Sequence, residues 1–507
     1  MPLPSSATDE VTPTPIQDAP VQPGPRVRLE SRWWRNADFA VLGIWISVVG
    51  FTLRYHEKWG DEAQAWLLAR DLSLGTLWFK ELRYEGSPGL WHTILWFAQR
   101  VFHAPYSSIG VIGMAFATAG VALMLFKAPF PQPLRWMLAF SYFMVYQYAV
   151  IARPYTLLPL LCFAAAIFFK DQKHPERLTL VLVLLSLLTI HGIIIAGGIG
   201  LAYLLDAIRK RETFNARLRQ RYALCIGIMA VTFLFLFIIL RPTPDVAEFA
   251  GRNDRLGQHW HPSKSAKLVS ILSGAFMDYT LPSAVFLLLS AAWCRMRRAL
   301  LPLAVPCALL IVLYVFIHGL SHHHGTLFVA AITGLWIAWP GKDEPQTRDQ
   351  QRATKAMMAL LACLFAVNIW DAAVSIRYEF LYPYCGADDA AKYLKTVGAD
   401  KQQIFGYDYG MNAVQAHFDR NILANWLSTY YHEGLPLRGD TLDFGEIEAQ
   451  HPEYLLFVVG NPERDLGPLN SLLNQSGYVL THFSDGYLFF KRALMDRQVY
   501  VIYRRVH

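Results

Sequence analysis

The chain has 507 residues, of which 54% are hydrophobic and 17% charged, and its formal net charge is +7. An ordinary soluble domain carries about 25% charge. Here long apolar runs recur from Ala37 to Ser375, which excludes a soluble globular protein and indicates a polytopic membrane protein. The positive charge lies mostly in short loops between those runs, a pattern of orientation by cytoplasmic Lys and Arg and not of nucleic-acid binding.

Residues 1–30 read as a disordered cytoplasmic tail: seven prolines fall among the first 25 residues, and no basic-then-apolar leader pattern is present. Arg26, Arg28, Arg32 and Arg35 then precede the first apolar run and place the N-terminus in the cytoplasm. Apolar runs follow near 37–54, 88–102, 106–127, 135–151, 154–170, 178–190, 192–206, 221–240, 278–294, 299–318, 325–339 and 355–376. Basic loops at 127–135, 171–177, 206–221, 294–298 and 341–355 can share the cytoplasmic side if Leu90–Phe102 lies in the interface plane instead of crossing. About eleven spans remain. The pair 178–190 and 192–206 is short of the roughly 20 residues a span needs, so a hairpin and a single helix broken at His191–Gly192 both stay open, with the basic loops favouring the hairpin.

This threading gathers the unusual polar residues on the outer side, in loops 55–105 and 241–266 and in the turns 152–155 and 318–325. In "HEKWGDEAQAWLLARDLSLG", from His56, Asp61 precedes a helix predicted over Ala63–Leu74 that rests on the membrane through Trp66 and Leu67. Asp61 with Gln64 makes a capping-box-like pair; as a functional residue Asp61 is a general base held by the helix start, with Glu62 beside it. "YEGSPGLWH" makes a Gly/Pro turn flanked by Glu85 and His92, both candidates for contacting a polar substrate. Arg153 sits in the turn "ARPY", where an arginine at membrane depth is costly and suits an anionic phosphate.

His191, His322, His323 and His324 are further substrate-binding candidates, through hydrogen bonds to phosphate or sugar hydroxyls. Three consecutive histidines on a helix diverge and no HxxxH spacing occurs, so no metal site is expected. The six cysteines include no CxxC, and neither a disulfide framework nor a structural zinc is expected. Loop 241–266 carries Arg252, Arg255 and His259 with Trp260 and His261, and reads as a lid offering cations to an anion and aromatic rings to a ring or lipid. Beyond Tyr378 the composition turns soluble. "DDAAKYLKTVG", "AVQAHF" and "LNSLLNQSG" are predicted helices; "KQQIFGYDY", "PEYLLFVVG", "GYLFFKR" and "VYVIYRR" are predicted strands, together a small α/β domain over 379–507.

In order along the chain, "GDEAQAW", "YEGSPGLWH", "ARPYTL", "LTIHG" and "SHHHGTLF" resemble the GT-C superfamily of membrane glycosyltransferases. The likeness is nearest to bacterial relatives of protein O-mannosyltransferases and to lipid A aminoarabinose transferases. The resemblance implies a mainly α, GT-C-like polytopic fold, with a transmembrane glycosyltransferase domain over 31–378 and an extracytoplasmic C-terminal domain. It implies Asp61 as the catalytic base with Glu62 adjacent. Tyr155 stands where such enzymes often carry a second acid, and Ser87-Pro88-Gly89-Leu90 replaces the family's Pro-Pro-Leu turn. The implied reaction moves a sugar from a polyprenyl-phosphate donor to a hydroxyl of a glycan, lipid or protein at the outer face of a bacterial inner membrane. No cofactor is required, and a divalent cation is left open. A transporter or flippase of lipid-linked glycans is the rival reading, since it too would use intramembrane Arg and His; a non-catalytic scaffold would leave the Asp-Glu pair without a role beyond capping.

Overall fold

A computed structural model describes residues 25–85, 87–241, 244, 263–317, 321–341, 344–430 and 444–506, with side chains from Asn36 onward. The expected lid residues Arg252, Arg255 and His259 lie outside the described residues. The chain is a mostly helical, multi-span membrane protein with a C-terminal sheet region.

Helices α1 (Pro25–Thr52), α2 (Gly60–Asp71), α3 (Leu90–Phe102), α4 (Ile109–Lys127) and α5 (Gln132–Ala139) open the body. Next come α6 (Leu158–Phe169), α7 (Pro175–Ser186), α8 (Ile190–Arg209), α9 (Ala216–Ile239), α10 (Lys264–Ala275) and α11 (Thr280–Met296). The helices α12 (Leu301–Phe316), α13 (Gly325–Ala338) and α14 (Arg348–Leu381) complete it. Among the described residues, four helices are long and apolar enough to cross a membrane alone, and α10 with α11 form a fifth candidate bent by 74°. The other expected spans are built from shorter pieces. The run 135–151, for example, becomes α5, a π-helical turn at Phe143–Gln147 and an irregular segment leading to Arg153.

Between 175 and 209 the chain folds as an antiparallel hairpin. Gln172 Nε2 donates to Asp206 Oδ2 (3.0 Å) and Tyr203 OH to the Asp171 carbonyl (3.2 Å), so the far ends of α7 and α8 lie side by side. The reversal is tight because Thr189 caps α8, accepting from the Gly192 N–H (3.0 Å). A Cβ at 192 would stand 2.2 Å from the Leu185 carbonyl oxygen, so only glycine fits.

The five basic loops share one end of the body. Gln132 and Trp136 both donate to Asp38 (2.8 Å), and Phe130 packs on Trp339 (4.9 Å between centroids). Lys170 donates to the Trp339 carbonyl (2.9 Å), Arg297 pairs with Glu344, and Tyr222 OH donates to the Gln172 carbonyl (3.2 Å). The segment 55–109 and the C-terminal region occupy the other end, where Tyr106 packs on Trp66 (5.8 Å) and His417 (5.2 Å). In a Cys363→Ser background, a membrane-impermeant maleimide should therefore label Ser107→Cys and Lys173→Cys from opposite faces of a vesicle. Labelling of both from one face would break this threading.

The C-terminal region forms a four-stranded sheet in the order β1 (Ile404–Tyr407), β2 (Tyr454–Val459), β6 (Val499–Arg505), β3 (Tyr478–Ser484). The first pair is parallel and the others antiparallel. One sheet face packs with Ala387–Thr396 and with Ala63 and Leu67 of α2; the other packs on Leu466, Leu469 and Leu473 of the helix Pro462–Gln475. "GYLFFKR", expected as a closing strand, instead contains β4 (Tyr487–Phe490), which pairs with β5 (Ala493–Arg497) in a separate hairpin. That hairpin seats Leu488, Phe489 and Phe490 in the core of the helical body, with Phe489 stacked on Tyr146 (5.8 Å). At its turn Lys491 reaches Asp278 (2.6 Å) and Asp371 (3.2 Å), and Arg492 reaches Asp371 (2.9 Å). The buried Lys491, with the exposed Arg492 beside it, thus binds the C-terminal region to α14 and to the bend between α10 and α11.

The docking overturns one expectation. Helix α2 does not lie on the lipid: Trp66 is 3% exposed and Leu67 fully buried. Trp66 and Ala69 face the helical body while Ala63 and Leu67 face the C-terminal core, so α2 is the layer between them. The exposed apolar face belongs to α3, through Phe97, Val101 and Phe102 (47, 56 and 77% exposed), as an interfacial helix requires.

Candidate active site at the Asp61 end of the helical body

Asp61 lies in the first turn of α2, and the sequence before it is what positions it. Trp59 is the N-cap in extended conformation, and the Glu62 carboxylate closes back onto the Trp59 N–H (3.3 Å). The capping carboxylate is thus Glu62, not Asp61, and Gln64 points elsewhere, donating to Glu85 (2.8 Å). Released from capping, Asp61 pairs with Arg153 (2.7 Å) and accepts from Tyr409 OH (3.0 Å).

Glu62 is fully buried, so it does not reach the cavity beside it, contrary to a direct catalytic role next to Asp61. Its carboxylate accepts from the Ala152 N–H (2.7 Å) and lies 3.0 Å from His56 Nε2. His56 Nδ1 in turn lies 2.9 Å from Glu379 at the end of α14. Burial alone would lower the His56 pKa, but the Glu379 and Glu62 carboxylates outweigh it and hold the value near 10. His56 is therefore an imidazolium between two carboxylates. This chain of charges sets register: Glu62 is bonded to residue 152, and their chain neighbours Asp61 and Arg153 face each other as a result.

Arg153 is flanked by the rings of Trp59 (5.5 Å) and Tyr155 (5.4 Å). Burial opposes its charge, yet Asp61, Tyr155, Tyr409 and Glu62 together outweigh it and raise its pKa. Tyr155 OH lies 3.1 Å from His191 Nδ1, and His323 packs on both Tyr155 (5.8 Å) and His191 (4.8 Å). His322 meets the edge of Trp59 (6.1 Å). Asp61, Glu85, His92, Arg153, His191 and His323 all line one cavity of about 480 Å³. His92 is 2% exposed, and among the described residues neither ring nitrogen has a hydrogen-bond partner; burial lowers its pKa to about 4, so the ring is neutral. Among the described residues, no three His, Cys, Asp or Glu side chains converge as a metal site.

No protein-family model matches the chain, and no curated protein matches it significantly. Solved structures do. The apo structure of ArnT from Cupriavidus metallidurans superposes at TM-score 0.55 with 12% identity, covering 93% of this chain and 98% of that one. ArnT from the same organism bound to undecaprenyl phosphate superposes at TM-score 0.53 with 12% identity, covering 91% and 97%. The chain has the fold of ArnT. The mostly helical, multi-span architecture with a C-terminal sheet region is thus shared with a solved membrane protein.

Within this ArnT-like fold the residues singled out in the sequence divide cleanly. Asp61, Glu85, His92, Arg153, Tyr155, His191, His322 and His323 share the cavity wall. His324 does not: it is 2% exposed and packs against Tyr314 (5.9 Å) and Gly274, where a Cβ would stand 2.4 Å from its Nδ1. Sequence reasoning missed Tyr409, Thr189 and Ser87 in the wall. Tyr409 lies 348 residues from Asp61, and its ring presses so closely on Gly60 that a Cβ there would stand 2.7 Å away. No local pattern announces such a pairing. Thr189 carried a usable signal, since a Thr directly before a helical run is a favoured N-cap.

Proposed function

We propose that the chain transfers a sugar from a polyprenyl-phosphate donor to an acceptor hydroxyl, in the cavity lined by Asp61 and Arg153. One observation carries this reading: a carboxylate and a guanidinium, set against each other by the Glu62–Ala152 bond, face a cavity at the end opposite the basic loops. With the basic loops cytoplasmic, that cavity is extracytoplasmic, and the protein belongs in a bacterial inner membrane with its N-terminus inside. One of its structural neighbours, ArnT bound to undecaprenyl phosphate, supports the substrate class.

The chemistry follows from charge. The acceptor O–H loses its proton to Asp61 as its oxygen attacks the anomeric carbon. The bond from that carbon to the phosphate oxygen breaks, and the departing polyprenyl phosphate gains negative charge, which Arg153 is placed to stabilise. The Asp61–Arg153 pair closes the site before donor binds; an arriving phosphate competes for the guanidinium and frees the carboxylate for the acceptor. Tyr155, His191, His322 and His323 offer hydrogen bonds to phosphate or sugar hydroxyls, as do Glu85 and His92 from the same cavity lining. A single displacement needs no carboxylate nucleophile and inverts the anomeric centre, unlike a retaining glycosidase with two.

The test is to supply the purified full chain, in vesicles, with a donor labelled on the sugar. Release of free polyprenyl phosphate with the label in an acceptor, anomeric configuration inverted, is expected. Movement of intact donor across the vesicle without cleavage would replace this reading by the flippase.

A further inference from the structure

We propose that the end of the body opposite Asp61 carries a site for the phosphate of an anionic phospholipid headgroup, in the pocket between α8 and the turn after α11. The pocket, of about 220 Å³, is lined by Lys170, Arg209, Lys210 and Arg298 against a single carboxylate, Asp206. Its deeper wall is apolar, from Phe169, Ala202 and Ile337. A basic rim over an apolar wall between membrane helices is what a lipid offers a match to, with its phosphate at the surface and its acyl chains along the helices.

Basic loops alone do not make such a site, because most such charge is either solvated or paired. At this same end Arg135 faces Asp38 (3.5 Å), Arg177 faces Asp171 (3.3 Å), Arg221 faces Glu176 and Arg297 faces Glu344. Asp206 is already engaged by Lys210 (2.7 Å) and Gln172 (3.0 Å). Lys170 donates to a carbonyl, that of Trp339 (2.9 Å). Among the described residues no carboxylate meets Arg209 or Arg298. The pocket therefore holds an excess of cation with two guanidiniums unneutralised, and guanidinium matches phosphate bidentately.

A second observation singles out Arg298. It follows the end of α11 with φ of +56°, in the left-handed region. Helices commonly end this way on glycine, which has no Cβ to strain; an arginine there carries a backbone strain that glycine would not. Strain of this kind tends to gather at functional positions, and here it accompanies a side chain that lines the pocket.

The test uses the full chain in neutral detergent, titrated with an acyl-labelled phosphatidylglycerol. Saturable binding is expected, displaced poorly by phosphatidylcholine and by soluble glycerol phosphate. Arg209→Ala with Arg298→Ala should weaken it by about 10- to 30-fold, while Arg217→Ala with Arg295→Ala, at the same end but outside the pocket, leaves it within about twofold. Both pairs are exposed, so the melting temperature should hold in each. Equal loss in the two double variants would show a diffuse basic belt and overturn the site. Displacement by phosphatidylcholine as good as by phosphatidylglycerol would overturn the anionic headgroup, and displacement by glycerol phosphate as good as by lipid would overturn the lipid.

Discussion

Asp61→Asn should lower sugar transfer by about 10²- to 10⁴-fold, the usual contribution of a general base, while donor binding holds or tightens. The split is the informative part. Asparagine keeps the side chain's size and can still accept from Tyr409 OH, which stands 3.0 Å from Asp61. It removes the basic oxygen and the partner of Arg153, 2.7 Å away, so the guanidinium is left free for the donor phosphate. Helix α2 should start as before, because its first turn is closed by Glu62 on the Trp59 N–H and not by Asp61. Turnover and donor affinity, measured separately on the purified chain, check both halves. Wild-type turnover in Asp61→Asn would remove Asp61 as the base, and equal loss of turnover and donor affinity would make it a binding residue.

His56→Ala should destabilise the fold by about 3–5 kcal/mol, the cost of removing one partner from a buried ionic group. His56 Nε2 and Nδ1 stand 3.0 and 2.9 Å from Glu62 and Glu379, whose side chains are fully buried. Without the imidazolium two carboxylates face each other out of water. The same network predicts a pH signature. The folded pKa, about 10, is above the ordinary 6.5, so the stabilisation is complete below pH about 6.5. It declines as pH rises through the interval and is lost above about 10. Unfolding followed at pH 6, 8 and 10 should show wild type losing stability with pH more steeply than His56→Ala. Parallel slopes would mean that His56 is not charged in the fold. Turnover should fall in the variant as well, since Glu62 also holds the Ala152 N–H (2.7 Å) and with it the register of Arg153 on Asp61.

The comparison of sequence with structure is sharpest at α2. An apolar stripe with Trp66 and Leu67 says that a face is buried, and hydropathy cannot say by what. The lipid reading failed because the C-terminal region supplies the cover, which places Ala63 and Leu67 in its own core. The capping assignment failed for a related reason. Asp61 and Glu62 are adjacent acids in a first helical turn, both able to cap by type, and the choice between them is made by Arg153 and Ala152 arriving from another part of the chain. His324 illustrates the same limit: three identical residues in a row carry no mark of which one turns into the packing of α10 and α12.

What the amino-acid sequence determined by itself was which segments leave water and at which end of the body the loops lie. Runs of apolar residues must leave water and basic loops resist translocation, so the membrane class, the common end of five loops and the shared end of Asp61, Arg153 and His191 were all legible. Each of those signals is local and additive along the chain. Only the tertiary structure decided the partners: Glu62 as cap and register bond, His56 between two carboxylates, Tyr409 on Asp61, and the β4–β5 hairpin seated in the helical core. The physical reason is that a buried polar group must find a hydrogen-bond or charge partner, and which partner it finds is set by packing between segments hundreds of residues apart.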